Sequence, residues 1–429
     1  MSDEQGTSRQ SAVGVSVTVD VGPVAHGGHC VARHDGRVVF VRHALPGERV
    51  RAVVTEGHAG SSFWRADAVD VLSASPDRVD PPCPWAGPGR CGGCDWQHAS
   101  LPAQRAMKAA VVREQLSRLA GLDVAVVVEE VPGAVDGLGW RTRVQWAVDG
   151  AGRAGLRKHR SHDVVPVDRC RIAHDLVTAV DVTGRSWPDA TSVEVSASVA
   201  TGEVLVLPDG RGDGALTEVV GERSFRVTGG GFWQVHPGAA STLLGAVLDG
   251  LDPRPGESAL DLYCGVGLFA ASLAGRVGAA GRVTAVESDR MAVEDARHNL
   301  SGLADRPAVR VEQGRVDHVL RRLRMRRADL VVLDPPRSGA GKAVVSLLSR
   351  VKARRIAYVA CDPAALARDL RWFAERGYAL QSLRAFDLFP MTHHVECVAV
   401  LVPERPGDPD ANRRAGLRAE REGEDRRQG

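Results

Sequence analysis

Hydrophobic and polar residues alternate over the first seventy positions. Val15-Ser-Val-Thr-Val-Asp20 alternates, Val38-Val-Phe-Val41 is continuously apolar, and Arg49-Val-Arg-Ala-Val-Val54 alternates again. A period of two marks half-buried strands, with His26-Gly27-Gly28 and Leu45-Pro46-Gly47 as turns between them. Residues 14–73 therefore predict a small five-stranded barrel.

The period then lengthens. Ala109, Val112, Leu116 and Leu119 recur at helical spacing, Ser100 and Pro102 signal a start and Gly121 a stop, so 99–122 predicts a helix. Residues 123–230 return to alternation broken by Gly and Asp, a second β-region. From about 237 onward, apolar strands at 258–263, 282–287, 308–311, 329–334, 355–360 and 379–387 are separated by helical stretches. A last strand, 395–402, follows across a short turn. This order specifies an α/β fold, a parallel doubly wound sheet ending in an antiparallel hairpin. The ends, 1–13 and 404–429, carry too few apolar residues to bury surface and are expected to be disordered.

Composition narrows the class. The 429 residues, 44% hydrophobic and 25% charged, suit a soluble protein of two or three domains. No apolar run reaches the ~18 residues of a membrane span, and the first ten residues lack a secretory pattern. A cytoplasmic monomer is expected. Reduced surroundings make the eight cysteines metal ligands, nucleophiles or core rather than disulfides.

The formal charge of +2 hides a local excess. Arg141, Arg143, Arg153, Arg157, Lys158, Arg160, Arg169 and Arg171 outnumber Asp149, Asp163 and Asp168, and Trp140, Trp146, His159 and His162 lie among them. That mixture suits phosphate contacts and base stacking on an unpaired RNA strand. A second run, Arg321–Arg327, ends a helix, where cations are ordinary, and reads as a solvated helix end.

Candidate chemistry clusters where strands end. Ala259-Leu-Asp-Leu-Tyr263-Cys-Gly265-Val-Gly267 is a strand and a Gly-rich turn before a helix, compatible with a dinucleotide or S-adenosylmethionine (SAM). Glu287 ends the next strand where ribose hydroxyls would lie, and Asp334-Pro-Pro-Arg337 faces the same crevice. Cys361 stands before a helix N-terminus, whose field favours thiolate. His393 and His394 are adjacent, so on a strand their rings should point apart; Glu396 follows. Cys83, Cys91 and Cys94, spaced C-x7-C-x2-C, and Cys170 read as a metal centre, with zinc and a 4Fe–4S cluster equally open.

DLYCGVG, LDPPR, YVACDPAALARDL and FPMTHHVE, in this order, resemble the RNA uracil-5-methyltransferase family over nearly the whole chain except the tail. AHGG, VVFV and LPGE resemble its optional TRAM barrel. The resemblance implies a class I Rossmann-like SAM methyltransferase domain over 231–403. Ahead of it would stand a TRAM/OB-like barrel (14–73), a cysteine loop (74–98), a helical segment (99–122) and a central β-rich RNA-binding domain (123–230). It implies Cys361 as the nucleophile that adds to C6 of uracil and Glu396 as the base that takes the C5 proton. It further implies that Gln234, Tyr263, Glu287 and Asp334 line the SAM site.

Several members of that family hold a 4Fe–4S cluster, which favours iron–sulfur over zinc on Cys83, Cys91, Cys94 and Cys170. Barrel and cluster together favour 23S ribosomal RNA as substrate, with tRNA second. The rival readings are a catalytically idle iron–sulfur RNA-binding protein, opposed by the presence of both Cys361 and Glu396, and a nicotinamide oxidoreductase. Leu268, Arg315 (with Asp317 a candidate replacement) and Asp362 depart from the family pattern. Cys30, Cys264 and Cys397 are assigned to packing.

Overall fold

The computed structural model describes residues 10–301 and 308–404. Most of both stretches expected to be disordered lies outside the described residues. Of the first, residues 10–13 lie on the barrel instead: Ser11 bridges His58, and Ala12 is buried.

Strands β1 (Ser16–Val24), β2 (Cys30–His34), β3 (Arg37–Arg42), β4 (Arg49–Glu56) and β5 (Phe63–Ser73) close into a barrel in the order β1-β2-β3-β5-β4. Alternation turns Val17, Val19, Val39, Val41, Val50 and Ala52 inward, and closure leaves no open sheet edge. Glu48, at the end of the LPGE turn, is buried; its carboxylate accepts from Leu45 N (2.8 Å) and Arg78 Nη2 (2.7 Å). This pair ties the barrel to the cysteine-bearing segment.

Helix α1 (Leu101–Gln115) starts where Ser100 Oγ accepts from Ala103 N, and its last turn widens into a π-turn (Leu116–Ala120) that Gly121 closes at φ 66°. Met107 and Val111 pack on the barrel, whereas Ala109, Val112 and Leu116 enter the core of the large sheet. The helix thus fastens barrel to catalytic domain.

The second β-region is divided. β6 (Val128–Glu130) leaves it and pairs in parallel with the last edge of the large sheet. β7 (Arg143–Val148), β8 (Ala154–Arg157), β9 (Val164–Val165), β10 (Ser192–Ala197) and β11 (Val204–Pro208) form a sheet ordered β11-β10-β7-β8-β9, with a short helix α2 (Asp175–Thr178) beside it. β12 (Ala215–Val220) and β13 (Arg223–Thr228) form a separate hairpin.

After α3 (Ala239–Leu251), strand and helix alternate: β14 (Ser258–Leu262), α4 (Leu268–Val277), β15 (Arg282–Glu287), α5 (Arg290–Ser301), β16 (Ala308–Gln313), α6 (Val316–Arg322), β17 (Leu330–Leu333), α7 (Gly341–Val351), β18 (Arg355–Ala360), α8 (Pro363–Ala374), β19 (Tyr378–Asp387) and β20 (Glu396–Pro403). The sheet order is β16-β15-β14-β17-β18-β20-β19-β6, parallel except for β20. Continuous apolar runs such as Leu330–Leu333 are buried on both faces by the flanking helices. Strand order reverses between β14 and β17, which opens a crevice at the carboxyl ends of the strands. The β12–β13 hairpin docks on α5, where Asp295 accepts from Thr228 N at 2.7 Å.

Candidate active site

The crevice is built by four strand-to-helix turns. Tyr263 follows β14 at φ 62°, and Gly265 and Gly267 (φ 54° and 94°) complete the turn into α4. Left-handed backbone is costly for a tyrosine, and it holds the ring half-buried at the edge of the core. Glu287 Oε2 accepts from Gly265 N (3.0 Å), while Oε1 accepts from Ser288 N and Asp289 N (2.6 and 2.9 Å). The two turns are thereby locked together. Arg315 and Asp317 both act electrostatically on Tyr263, and Asp317 accepts from Arg321 at 2.8 Å. Leu268 points into the core rather than the crevice.

One residue of the site is not singled out by sequence reasoning. Asp261 is wholly buried in β14; Oδ2 accepts from Ala270 N (2.7 Å), but Oδ1 has no partner. Burial, then the charges of Asp334 and Glu287, push its carboxyl up to about 8. Its only signal is an acid inside the otherwise apolar Ala259-Leu-Asp-Leu262.

Cys361 and Glu396 come together through register. β18 and β20 pair Ala360 with Cys397, so one step further sets Cys361 opposite Glu396. Asp334 and Arg337 lie in the same field. Burial, then Glu396 and Asp334, push the Cys361 thiol up to about 12, with Arg337 opposing. Burial and the two carboxyls thus act against the thiolate-favouring field of the helix N-terminus. Burial raises Asp334 to about 7 and, with Asp334 beside it, holds Glu396 well above the usual carboxylate range.

The loop before Glu396 is clamped from outside the sheet. Gln104 Oε1 accepts from Met391 N (2.7 Å), and buried Lys108 pairs with Asp387 and donates to Phe389 O (3.0 Å). Asp95 accepts from His393 N and contacts His393 Nδ1 at 2.6 Å. His393 and His394 sit in this loop, not on a strand, and their rings approach to 4.1 Å instead of pointing apart. From the barrel, His26 Nε2 contacts Asp362 Oδ2 at 3.0 Å, while Asp362 Oδ1 caps α8 by accepting from Ala365 N (2.7 Å).

Away from the crevice, Cys83, Cys91, Cys94 and Cys170 line one cavity of about 230 Å³ and form no disulfide. Gln97 Nε2 donates to Cys94 Sγ (3.2 Å) and Gly93 N to Cys91 Sγ (3.5 Å). Among the described residues, no three His, Cys, Asp or Glu side chains stand at the spacing of a single metal ion. A groove of about 490 Å³ adjoins this cavity through Gly93 and Arg141 and carries Arg157, Lys158 and Arg160. Trp140 and Trp146 are buried and offer no ring to a base, contrary to the expectation of stacking. Gln234 lines a separate cavity, between the five-stranded sheet and the β12–β13 hairpin.

This sheet order with its crevice is that of an α/β methyltransferase. The family model of tRNA (uracil-5-)-methyltransferases matches residues 219–404, and that of the TRAM domain residues 10–66. An uncharacterized RNA methyltransferase of Streptomyces coelicolor is 53% identical over 92% of this chain and 95% of the relative. Another, from Bifidobacterium longum, is 40% identical over 87% and 93%. The fold is also that of Pyrococcus abyssi tRNA (uracil-54, C5)-methyltransferase in complex with S-adenosyl-L-homocysteine (TM-score 0.66, 23% identity, 89% of this chain and 99% of that one). The chain belongs to the RNA uracil-5-methyltransferase family, whose members are SAM-dependent RNA-modifying enzymes.

Proposed function

We propose that the protein methylates C5 of a uridine in 23S ribosomal RNA by covalent catalysis. C5 of uracil is too weak a nucleophile to attack a sulfonium methyl unaided. Cys361 loses its thiol proton to solvent, and the thiolate bonds to C6, moving the C5–C6 π pair into an enolate. C5 then takes the methyl group, and S-adenosylhomocysteine leaves. Glu396, its own proton first given up to solvent, removes the C5 proton; the released pair re-forms the C5–C6 double bond and expels the Cys361 thiolate. The observation that carries this reading is the register of β18 and β20, which sets Cys361 opposite Glu396 beside Asp334.

Tyr263, Glu287 and Asp334 would line the methyl donor, with Asp261 beneath them; Gln234, expected there from the resemblance, lines the neighbouring cavity instead. A target base must be unstacked to reach Cys361. The groove of Arg157, Lys158 and Arg160 would hold its strand by phosphates.

Cys83, Cys91, Cys94 and Cys170 fit an iron–sulfur cluster, which would tie residue 170 to the 83–94 loop beneath that groove. Four thiols lining one cavity suit either metal centre, and membership of the family favours the cluster over zinc. Colourless, zinc-loaded protein from anaerobic purification would refute it. Barrel and cysteine cavity favour ribosomal RNA; the tRNA substrate of the Pyrococcus abyssi protein favours the second reading. Mass-spectrometric mapping of 5-methyluridine in both RNAs, with and without the gene, decides: loss from 23S RNA is expected, loss from tRNA selects the second reading, and loss from neither refutes both.

A further inference from the structure

The run Arg321–Arg327 does more than end a helix. α6 and α7 finish side by side at the amino edge of the sheet, opposite the crevice. Between them lies an open depression with an apolar floor, rimmed by Arg321, Arg324, Arg326, Arg350 and Lys352. Arg321 pairs with Asp317, but the other four are exposed and have no side-chain hydrogen bond or ion pair among the described residues. Some exposed arginines elsewhere are paired, as Arg322 is with Glu312, Arg290 with Glu294 and Arg371 with Glu375, and others, such as Arg113 and Arg276, have no such partner among the described residues. What marks this edge is the gathering of four such cations around one depression. Like charges around one concavity repel, and an anionic occupant offsets that repulsion.

Backbone conformation gives a second, independent indication. Arg324 and Lys352 hold left-handed conformations, φ 47° and 55°, just past the ends of α6 and α7. Glycine is the unstrained residue there. At both positions a long cation stands in this conformation, and both line the same depression.

We infer that this amino-edge depression binds the phosphate backbone of a paired segment of the substrate RNA. No aromatic side chain lines it, so an unpaired strand would find nothing to stack on. Closely spaced cations without a carboxylate suit the ridge of a duplex backbone. β17 spans only four residues, about 13 Å, between this edge and Asp334, a separation short against the length of an RNA helix. The inference rests on membership of an RNA-modifying family and not on the covalent mechanism.

The test is fluorescence anisotropy of the full chain with a labelled RNA duplex of roughly 20 base pairs, compared with a single strand of equal length. Arg324→Gln, Arg326→Gln, Arg350→Gln and Lys352→Gln are combined. Between about 50 and 200 mM salt, the slope of log affinity against log salt for the duplex should fall by about 3 to 4, with affinity down at least about tenfold. SAM titration should be unchanged, which certifies the fold. If the combined variant misfolds, Arg326→Gln alone should lower the slope by about 0.9. An unchanged duplex slope, or a larger loss on the single strand, overturns the inference. Because no turnover is measured, a failure of the methylation reading leaves this outcome untouched.

Discussion

At the scale of single residues, burial pushes the thiol of Cys361 and the carboxyls of Asp334 and Glu396 upward together. The Cys361 thiol, pushed up to about 12, is not the attacking species in the free protein. The Arg337 guanidinium opposes that rise. Arg337→Gln should therefore slow alkylation of Cys361 by iodoacetamide about three- to tenfold at fixed pH, read by peptide mass mapping; an equal rate would remove Arg337 from the account. Cys361→Ala should abolish methyl transfer and spare SAM binding. Glu396→Gln should accumulate a denaturation-resistant enzyme–RNA adduct, because the C5 proton then has no base. A Glu396→Gln enzyme that turns over without adduct would assign the proton removal elsewhere.

Elements outside the sheet decide whether the crevice is assembled. α1 lies far from the catalytic strands in sequence, yet Gln104 and Lys108 grip the loop that leads into Glu396. The Lys108–Asp387 pair is buried on both sides, so removing one partner strands a charge. Lys108→Met should cost about 3–5 kcal/mol in urea unfolding. The double change Lys108→Met with Asp387→Leu should recover most of that loss, since replacing both charges removes the desolvation burden. If the double variant is no more stable than the single, the pair does not act as a unit.

The whole molecule meets at a histidine-rich junction. His29 and His43 of the barrel, His98 of the cysteine segment and His159 of the five-stranded sheet gather around Arg42 and Asp95, with Glu48, Arg78, Arg160 and His393 facing them. Burial, helped by Arg42, lowers His29, His98 and His159 to about 4 and His43 to about 3. A histidine depressed on folding is protonated first in the unfolded chain, so it favours unfolding as pH falls. The melting temperature should be flat above pH 6.5 on this account and drop between about 6.5 and 4. His159→Phe should shallow that drop; an identical pH profile would exclude the junction as its source.

Much of this protein is determined by local sequence. Alternation specified the barrel, because a period of two has one buried solution, and apolar runs between helices specified the parallel sheet. Asp334, Tyr263, Glu287 and Cys361 were legible because strand ends in a doubly wound sheet point to one crevice. Only tertiary structure decided the rest. β6 joined the large sheet because Val128 fits that core while Glu129 pairs with Arg384 on β19, and Trp140 and Trp146 were buried rather than offered to bases. Asp261 stayed hidden in an apolar run, and the thiol of Cys361 rose through burial and the neighbouring carboxyls of Glu396 and Asp334. The cations of the amino edge acquired meaning only when two helix ends met, since charge density depends on distances that sequence does not contain.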